Sequence, residues 1–380
     1  MGSSYAIFSA QYPPHLGGIE NFTSSLAHAL VVEGDSVVVV TNDTNTVGPG
    51  ISDDKGVKVL RLPCFPLVDG RLPIAKHGSE YRGLWNWLEA QELDGVLVNA
   101  RFYPHSLAGM KFARKKGLRP VVLDHGSAYL SFSNSVLDPI VRFYERAITA
   151  WGRRYGAAYY GISQKSAEWL GEFGIAAEGV IPNAIDAEAY RELSSGRDFR
   201  GELGLSEGCL MVAFVGRFIP EKGINSIIEA SVADELVKAG VTFVLAGDGP
   251  MAEKVKQAQS EQLRWVGRLS APDVSALFSQ SDLLCLPSRS EGFSMTLLEA
   301  AACDCPAVVT DVGVAGELIP DEEYGTIIGS MSPKDIIWAV CRLADDRNLL
   351  AHQAKNCRHR AELSFSWEIT AQTLRAAMAE

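Results

Sequence analysis

The chain alternates short runs of consecutive apolar residues with longer stretches in which apolar residues recur every three or four positions. The short runs have the length of buried strands, and the longer stretches have the period of amphipathic helices. In the stretch from residue 19 to 34 the recurring apolar positions are Phe22, Leu26, Ala29 and Leu30. Strands that alternate with helices predict parallel sheets covered by helices on both faces.

The predicted strands fall into two series, separated by the polar stretch Arg191–Gly208. The first series is Tyr5–Ser9, Ser36–Thr41, Lys58–Leu62, Gly95–Asn99, Pro120–Asp124, Ala158–Ser163 and Gly179–Asn183. The second is Cys209–Gly216, Val241–Gly247, Leu263–Gly267, Asp282–Pro287, Pro306–Thr310 and Gly325–Gly329. We therefore predict an α/β protein with two doubly wound, Rossmann-like domains facing each other across a cleft. The first is expected at 1–185, joined by a C-terminal helix at about 365–380, and the second at 186–364.

Composition and charge limit the kinds of molecule that the chain is expected to bind. Residues 1–183 carry 17 basic and 17 acidic residues, so the remaining 18 basic and 29 acidic residues supply the whole net charge of -11. This balance argues against a nucleic-acid partner. No apolar run approaches the ~18 residues of a membrane span. The seven scattered cysteines lack metal-ligand spacing, and we expect reduced thiols, a cytoplasmic protein and no bound metal.

A loop in the second series combines an acid, a glycine and a helix start. The strand Asp282–Pro287 is followed by Glu291 and Gly292, and a helix is predicted to begin near Phe293 or Ser294. The first N–H groups of a helix are unpaired and its dipole is positive there, which suits a phosphate. Glycine lets a ligand approach the backbone closely. The loop therefore predicts a phosphate site.

A second glutamate, Glu299, is expected about two turns into the same helix. At ~1.5 Å per residue it would lie roughly 9 Å along the axis from the helix start. A nucleoside diphosphate sugar matches this spacing, with its diphosphate at the helix start, its ribose at Glu299 and its sugar at Glu291. A helix-terminal charge and a solvated glutamate would give the same pattern.

Two cations follow another strand of the second series. Arg217 comes directly after Cys209–Gly216, and Lys222 lies five residues further on at a helix entry. Cations at a strand end can clamp a diphosphate and stabilise it as it leaves, although two surface cations are the alternative. The turn at Gly247 and Gly249 is weak support, because such turns usually only connect elements.

The first domain has its own polar strand ends. The pair Gly17 and Gly18 lies between the first strand and the first helix, and permits close backbone approach to a phosphate. It is not a G-x-G-x-x-G fingerprint, so no nicotinamide cofactor is predicted. Asp124 and His125 end another strand. With a pKa near the usual ~6.5, His125 could donate a hydrogen bond or hold partial charge; a structural histidine is the alternative.

In chain order, these motifs resemble one family. The segments "GGIENFTSSLAHAL", "PNAID", "VGRFIPEKG", "GDGP" and "SEGFSMTLLEA" are similar to those of the family 4 retaining GT-B glycosyltransferases (glycosyl transferases group 1), and the resemblance spans nearly the whole chain. It implies that a UDP- or GDP-type sugar is the donor substrate, that no further cofactor is needed, and that a sugar is transferred with retained configuration.

The resemblance also implies a role for each motif residue. Glu299 matches the glutamate on the ribose hydroxyls, Glu291 the one on the donor sugar, and Arg217 and Lys222 the cations on the diphosphate. The remaining matches are the phosphate loop Gly17 and Gly18, the cleft histidine His125, the backbone donors Gly292, Phe293 and Ser294, and Arg268 beside the base.

Three positions depart from the family pattern. Ala184 stands where glycine is common, Asp304 stands where glycine is usual, and "GVAGEL" replaces the usual "GGxxEL", which leaves the role of Glu317 open. Aspartate tolerates the left-handed conformation better than most residues, so Asp304 should strain the chain little.

Two other functions fit the same architecture. A nucleotide-sugar epimerase or hydrolase would form product from the donor alone, and a sugar-nucleotide sensor would need no leaving-group cations. The absence of a D-x-D triplet argues against a Mg²⁺-bridged diphosphate. We expect a hexosyl transfer to a glycan or lipid-linked acceptor in cell-surface polysaccharide or glycoconjugate synthesis.

Two basic segments of the first domain, Lys111–Arg119 and Arg142–Arg154, suggest a peripheral contact with the inner face of the plasma membrane. Basic amphipathic helices can dock on anionic lipid. A solvated helix face would have the same composition.

Overall fold

The structure is a computed structural model that describes residues 2–15, 17–44, 47–68, 70–130 and 137–379. The chain divides into two compact units. Unit 1 comprises Met1–Asn183 and Trp367–Glu380, and unit 2 comprises Ala184–Ser366.

Unit 1 is built on an eight-stranded sheet with the order β10-β9-β8-β7-β1-β2-β4-β3. All neighbours are parallel except β3, which is antiparallel to β4, and a separate hairpin pairs β5 with β6. The strands are β1 Ser4–Phe8, β2 Ser36–Asn42, β3 Gly50–Asp54, β4 Val57–Leu62, β5 Cys64–Leu67, β6 Leu72–Ala75, β7 Gly95–Asn99, β8 Val121–Asp124, β9 Ala158–Gly161 and β10 Gly179–Val180. Its first helices are α1 Gly18–Val32, α2 Ser79–Glu89, α3 Pro104–Lys115, α4 Leu137–Gly152 and α5 Gln164–Trp169.

Unit 2 is built on a six-stranded parallel sheet with the order β13-β12-β11-β14-β15-β16. Its strands are β11 Leu210–Val215, β12 Val241–Ala246, β13 Leu263–Gly267, β14 Leu283–Leu286, β15 Ala307–Thr310 and β16 Thr326–Ile328. Its helices are α6 Ala187–Glu192, α7 Phe199–Leu203, α8 Ile224–Ser231, α9 Asp234–Lys238, α10 Ala252–Gln257, α11 Ala271–Gln280, α12 Met295–Ala302, α13 Ala315–Leu318, α14 Pro333–Asp345 and α15 Arg347–Ser364.

The last helix, α16 (Trp367–Ala379), packs on α1 and so belongs to unit 1. The rings of Trp367 and Phe22 lie 5.9 Å apart. Arg375 donates from Nε and Nη2 to Asp35 Oδ2 at 2.9 and 2.6 Å. Burial of Phe22 is worth about 1.5–3 kcal/mol, and the half-buried ion pair of Arg375 fixes the orientation of the helix.

The parallel sheets explain which strands the hydrophobic pattern revealed. Every predicted strand is present, with ends shifted by zero to three residues. The pattern missed β3, whose sequence GISDD is polar and mostly exposed, and the hairpin β5–β6, whose prolines suit only an edge position. The α/β class with two parallel-sheet domains is confirmed. Asp304 has φ of 58°, the left-handed conformation predicted for it.

Both main sheets contain a point where the strand order reverses. In unit 1 the chain leaves β1 toward β2 and later returns to β7 on the other side, and in unit 2 it leaves β11 toward β12 and returns to β14. In open parallel sheets, ligands bind outside the carboxyl ends of the strands at such points. The loops after β11 and β14 are therefore where a ligand of unit 2 is expected.

Candidate functional site

A pocket of about 500 Å³ opens at the carboxyl ends of the strands of unit 2. It is lined by residues that follow β11, β12 and β13, and it brings together two of the predicted cations, Arg217 and Arg268. Apolar side chains, Leu269 and Val274 among them, form part of the wall. A pocket with apolar walls and cations suits a planar base next to a phosphate.

A glycine at the end of β12 brings two loops of this pocket into contact. Gly247 has φ of 145°, and a Cβ atom there would lie 1.9 Å from the carbonyl oxygen of Gly216. The amide of Phe218 also donates to the carbonyl of Asp248 at 2.8 Å. The chain around exposed Arg217 is thus held against the β12 loop, because only glycine permits this approach.

The structure pairs Lys222 with Glu291. The Lys222 Nζ atom is hydrogen-bonded to Glu291 Oε1 in a half-buried ion pair. The amide of Arg289 donates to the carbonyl of Glu221 at 2.8 Å, so the loop after β14 also meets the loop after β11 through the backbone. Glu291 therefore neutralises the predicted diphosphate cation, a contact that sequence reasoning did not anticipate.

Helix α12 begins at Met295, one or two residues later than predicted. Its N-cap residue Ser294 has φ of 82° and makes no side-chain capping bond. A left-handed backbone is unusual at a residue other than glycine, and the examples that occur are concentrated at functional sites. Phe293 is anchored, because its carbonyl accepts from the amide of Val314 at 2.9 Å. A helix start with no capping side chain leaves backbone donors for an anion.

Glu299 lies four residues beyond the first residue of α12, about 6 Å along the axis rather than two turns away. Part of the surface of its side chain is exposed to solvent, whereas the carboxyl group itself is enclosed by the surrounding residues. Burial raises the pKa of Glu299 to about 7. Sequence reasoning missed Tyr190 of α6. Burial raises the pKa of its hydroxyl group, and the nearby carboxylate of Glu299 raises that pKa further.

In unit 1 the glycine pair is only partly open. A Cβ atom at Gly17 would lie 2.2 Å from Glu20 Oε2, whereas a Cβ atom at Gly18 would meet nothing within 4 Å. Glu20 is buried, and its Oε1 atom lies 3.3 Å from His15 Nδ1. The carboxylate of Glu20, at the third helical position, therefore lies beside the backbone of Gly17 at the helix start. The space beside Gly18 is therefore open, while Glu20 occupies the space at Gly17.

His125 is held by the end of the neighbouring strand. Asn99 Nδ2 donates to Thr23 Oγ1 at 2.8 Å, which leaves Asn99 Oδ1 facing His125 Nε2 at 3.1 Å. The Nε2 atom therefore carries the proton and donates it. The ring also packs on Phe22, with centroids 5.1 Å apart. Asn99 could have been found as a polar residue at a strand end.

The surroundings of His125 bear on whether it donates a hydrogen bond or holds charge. Burial lowers the pKa of His125 to about 3, because an imidazolium ion would lose hydration that the surrounding chain does not replace. The imidazole is therefore neutral at ordinary pH, and it can serve as a hydrogen-bonding group but not as a partial positive charge.

The described residues contain no cluster of three or more His, Cys, Asp or Glu side chains that could hold a metal ion. In the same part of the chain, no helix combines the length and the apolar character needed to cross a membrane.

Comparisons with known proteins show the family. The family model described as glycosyl transferases group 1 matches residues 196–360, and the model for glycosyltransferase family 4 matches residues 16–189. The glycogen synthase of Mycobacterium tuberculosis is 30% identical to the chain over 407 aligned positions, which cover 96% of the chain and 91% of that protein.

Solved structures share the fold over the whole chain. Sucrose-phosphate synthase from Thermosynechococcus elongatus has a TM-score of 0.74 at 19% identity, with 98% of each chain covered. The Anabaena protein HepE in complex with UDP has a TM-score of 0.70 at 20% identity, with 100% of each chain covered. HepE in complex with UDP-glucose has a TM-score of 0.68 at 18% identity, with 99% of each chain covered. The chain belongs to glycosyltransferase family 4, the retaining group 1 enzymes of the GT-B fold, and it transfers a sugar from a nucleotide-sugar donor.

Proposed function

We propose that the chain is a metal-independent hexosyltransferase that moves a hexosyl unit from a nucleoside diphosphate hexose to a glycan or lipid-linked acceptor, in cell-surface polysaccharide or glycoconjugate synthesis. The observation that carries the proposal is the concentration of cations and helix-start N–H groups where the strand order of unit 2 reverses. Arg217, Lys222 and the uncapped start of α12 all follow β11 or β14.

In the proposed complex, unit 2 binds the donor. The base occupies the pocket between Arg217 and Arg268, the ribose hydroxyls donate to Glu299, and the diphosphate lies at the start of α12 beside Lys222. The hexose lies at Glu291. A uracil base is the first choice, since HepE shares the fold and was solved with UDP and with UDP-glucose. Unit 1 binds the acceptor, and His125 donates a hydrogen bond to the donor sugar.

The reaction breaks the bond between the anomeric carbon and the oxygen of the diphosphate. Negative charge grows on the leaving diphosphate, where Arg217, Lys222 and the backbone donors of α12 stabilise it. The acceptor hydroxyl attacks the anomeric carbon from the side that the diphosphate leaves, which retains the configuration. Its proton passes to the departing phosphate oxygen, so the nucleoside diphosphate and the glycoside are the products.

In this scheme, Lys222 and Glu291 exchange their ion pair for contacts with the donor when the donor binds. Before the donor binds, the lysine is neutralised by the carboxylate. A diphosphate carries more charge than one carboxylate and attracts the lysine more strongly. Lys222 would then turn to the diphosphate, while Glu291 is released to accept hydrogen bonds from sugar hydroxyls.

The proposal predicts acceptor-dependent turnover that persists without divalent metal. We expect the enzyme, incubated with UDP-glucose and a panel of glycan and lipid-linked acceptors in excess EDTA, to release UDP mainly when an acceptor is present. Coupled detection of UDP and mass spectrometry of the products would measure this. Complete loss of turnover in EDTA would contradict metal independence, and equal turnover of the donor alone would indicate an epimerase or hydrolase.

We further propose that helix α4 docks on an anionic membrane. Large apolar side chains on α4 are exposed, with Phe143 75%, Ile140 59% and Trp151 58% accessible, and the exposed cations Arg142 and Arg146 lie on the same helix. Exposed apolar residues in a row, beside cations, fit the interface of an anionic bilayer.

The other basic segment, Lys111–Arg119, fits this role less well. Its Lys115 lies 2.7 Å from Glu89, and Arg119 is paired with Glu178. Charges already balanced by the chain itself attract a membrane less. On α4, Arg146 is also paired, with Glu172 at 3.6 Å. It is therefore the exposed apolar residues, and not the cations, that favour α4 over the segment around the end of α3.

Docking through α4 can be tested with two tryptophans of equal exposure. Trp151 on α4 and Trp338 on α14 are each 58% exposed. Because inserting a tryptophan is worth about 1.5–3 kcal/mol, Trp151→Ser should lower binding to phosphatidylglycerol vesicles by roughly tenfold or more in flotation at low salt. Trp338→Ser should leave binding unchanged. Equal loss in both variants, or no binding by the unaltered protein, would contradict the docking proposal.

A further inference from the structure

The residue between Asn99 and Arg101 has an unusual backbone. Ala100 follows β7 directly, is fully buried and has φ of 62°. Its amide donates to the carbonyl of Leu123 at 2.8 Å, which fixes the turn against β8. Residues other than glycine and asparagine rarely adopt this conformation, and it persists where the surrounding structure imposes it.

The two residues that flank Ala100 hold two successive residues of the next strand end. Asn99 Oδ1 lies 3.1 Å from His125 Nε2, and Arg101 Nη1 lies 3.7 Å from Asp124 Oδ1. The turn after β7 therefore makes two contacts with the start of the loop that carries His125.

Arg101 also reaches the other end of that loop. Its Nη2 atom donates to Glu145 Oε2 at 3.2 Å, and Glu145 Oε1 accepts from the amide of Leu130 at 2.8 Å. One guanidinium group is thus ion-paired with Asp124 and linked to Leu130 through Glu145. Both ends of the segment 124–130 therefore contact one buried ion cluster, formed by Arg101, Asp124 and Glu145.

The environment of Arg101 makes this arrangement rigid. Arg101 is 2% exposed, and both of its acidic partners are buried. Its guanidinium carbon lies 3.8 Å from the centre of the Phe173 ring. A planar guanidinium group can contact two carboxylates and stack on a ring at the same time, whereas the ammonium group of lysine cannot.

We propose that Arg101 is a positioning residue for sugar transfer, which sets the location and the hydrogen bonding of His125 by holding the loop 124–130. The inference rests on the proposed contact of His125 with the donor sugar. Arg101 contacts no reacting atom in this scheme, and it acts only through the loop. Asp124 and Glu145 are the two acidic residues through which it acts on the loop.

The test compares Arg101→Lys with Arg375→Lys. Both arginines bridge acids within unit 1, but Arg375 lies on α16 and contacts Glu33 and Asp35 instead of the loop. We expect Arg101→Lys to lower kcat about 10- to 100-fold with UDP-glucose, because small displacements of a catalytic group have effects of this size. The affinity for UDP, measured by calorimetry, should stay within twofold, since unit 2 supplies the proposed base, ribose and diphosphate contacts. Arg375→Lys should retain kcat.

A spectroscopic measurement separates positioning from general stability. The ¹⁵N resonances of the His125 ring should report a protonated Nε2 atom in the unaltered protein and in Arg375→Lys, and a shifted or averaged signal in Arg101→Lys. If Arg101→Lys does not fold, Glu145→Gln serves instead, since the amide oxygen can still accept from Leu130. A fall in kcat of at least fivefold together with a shifted His125 signal would support the proposal.

The outcomes distinguish this inference from the proposed role of His125. If His125→Ala loses kcat while Arg101→Lys or Glu145→Gln retains both kcat and the His125 signal, Arg101 is not a positioning residue. If His125→Ala retains full kcat, the proposed role of His125 fails, and the positioning role fails with it.

Discussion

Replacing Lys222 by methionine should lower kcat by about 100- to 1,000-fold, the usual effect of removing one preorganised donor from developing negative charge. Methionine keeps an unbranched apolar stem but lacks the ammonium group that we assign to the leaving diphosphate. The substitution also removes the cation that balances the charge of Glu291. The added net negative charge would repel the diphosphate, so both kcat and donor affinity should fall. Steady-state kinetics with UDP-glucose would measure both.

Two further variants give this experiment its controls. Lys254, whose Nζ atom donates to Asn225 Oδ1 at 2.6 Å, is exposed on α10, and Lys254→Met should retain kcat. The double variant Lys222→Met with Glu291→Gln should lose less than the product of the two single losses, because residues in one ion pair are not independent. Full kcat in Lys222→Met would refute the assignment of Lys222 to the leaving group.

Replacing Glu299 by glutamine should have opposite effects on stability and on donor binding. The pKa of Glu299 is raised from 4.5 to about 7 by burial, so the folded state binds its proton more tightly than the unfolded state does. Ionisation therefore costs the folded state free energy as pH rises from about 4.5 to 7, and the whole cost, up to about 3 kcal/mol, is present above pH 7. Glutamine removes this cost.

We therefore expect Glu299→Gln to be more stable than the unaltered protein at pH 8 and equally stable at pH 4, as measured by denaturant unfolding. The same variant should bind UDP about 10- to 100-fold more weakly at pH 8, since hydrogen bonds from ribose hydroxyls to a charged acceptor are worth about 1.5–3 kcal/mol. Glu229→Gln, at an exposed position on α8, should change neither quantity. A gain in stability with unchanged UDP affinity would show that Glu299 is buried but does not contact the ribose.

The fold was predictable because parallel strands buried on both faces are continuous apolar runs. The strand β7 was predicted with the bounds that it has, Gly95–Asn99, and β13 likewise. The edge strand β3 was missed for the same reason, since it is exposed and its polar sequence has no such run. The start of α12 was displaced because the left-handed Ser294 has no signature in the sequence.

Part of the site could be expected from the sequence. Topology places residues that follow parallel strands at one edge of the sheet, and the family resemblance assigned Arg217 to the diphosphate and Arg268 to the base; one pocket contains both. The pairing of Lys222 with Glu291 was not expected, because 69 residues separate them and no periodic pattern connects the two loops. Glu20 was overlooked for a different reason, since its reach back to Gly17 depends on a side-chain conformation.

The sequence by itself determined the two series of strands, the strand ends that carry the polar residues, and the family. Only the tertiary structure decided the surroundings of those residues: burial lowers the pKa of His125 and raises the pKa of Glu299, and Arg101 is fully buried. The physical reason is that apolar periodicity is a local property of the chain, whereas the charge of a side chain depends on which distant residues exclude water from it.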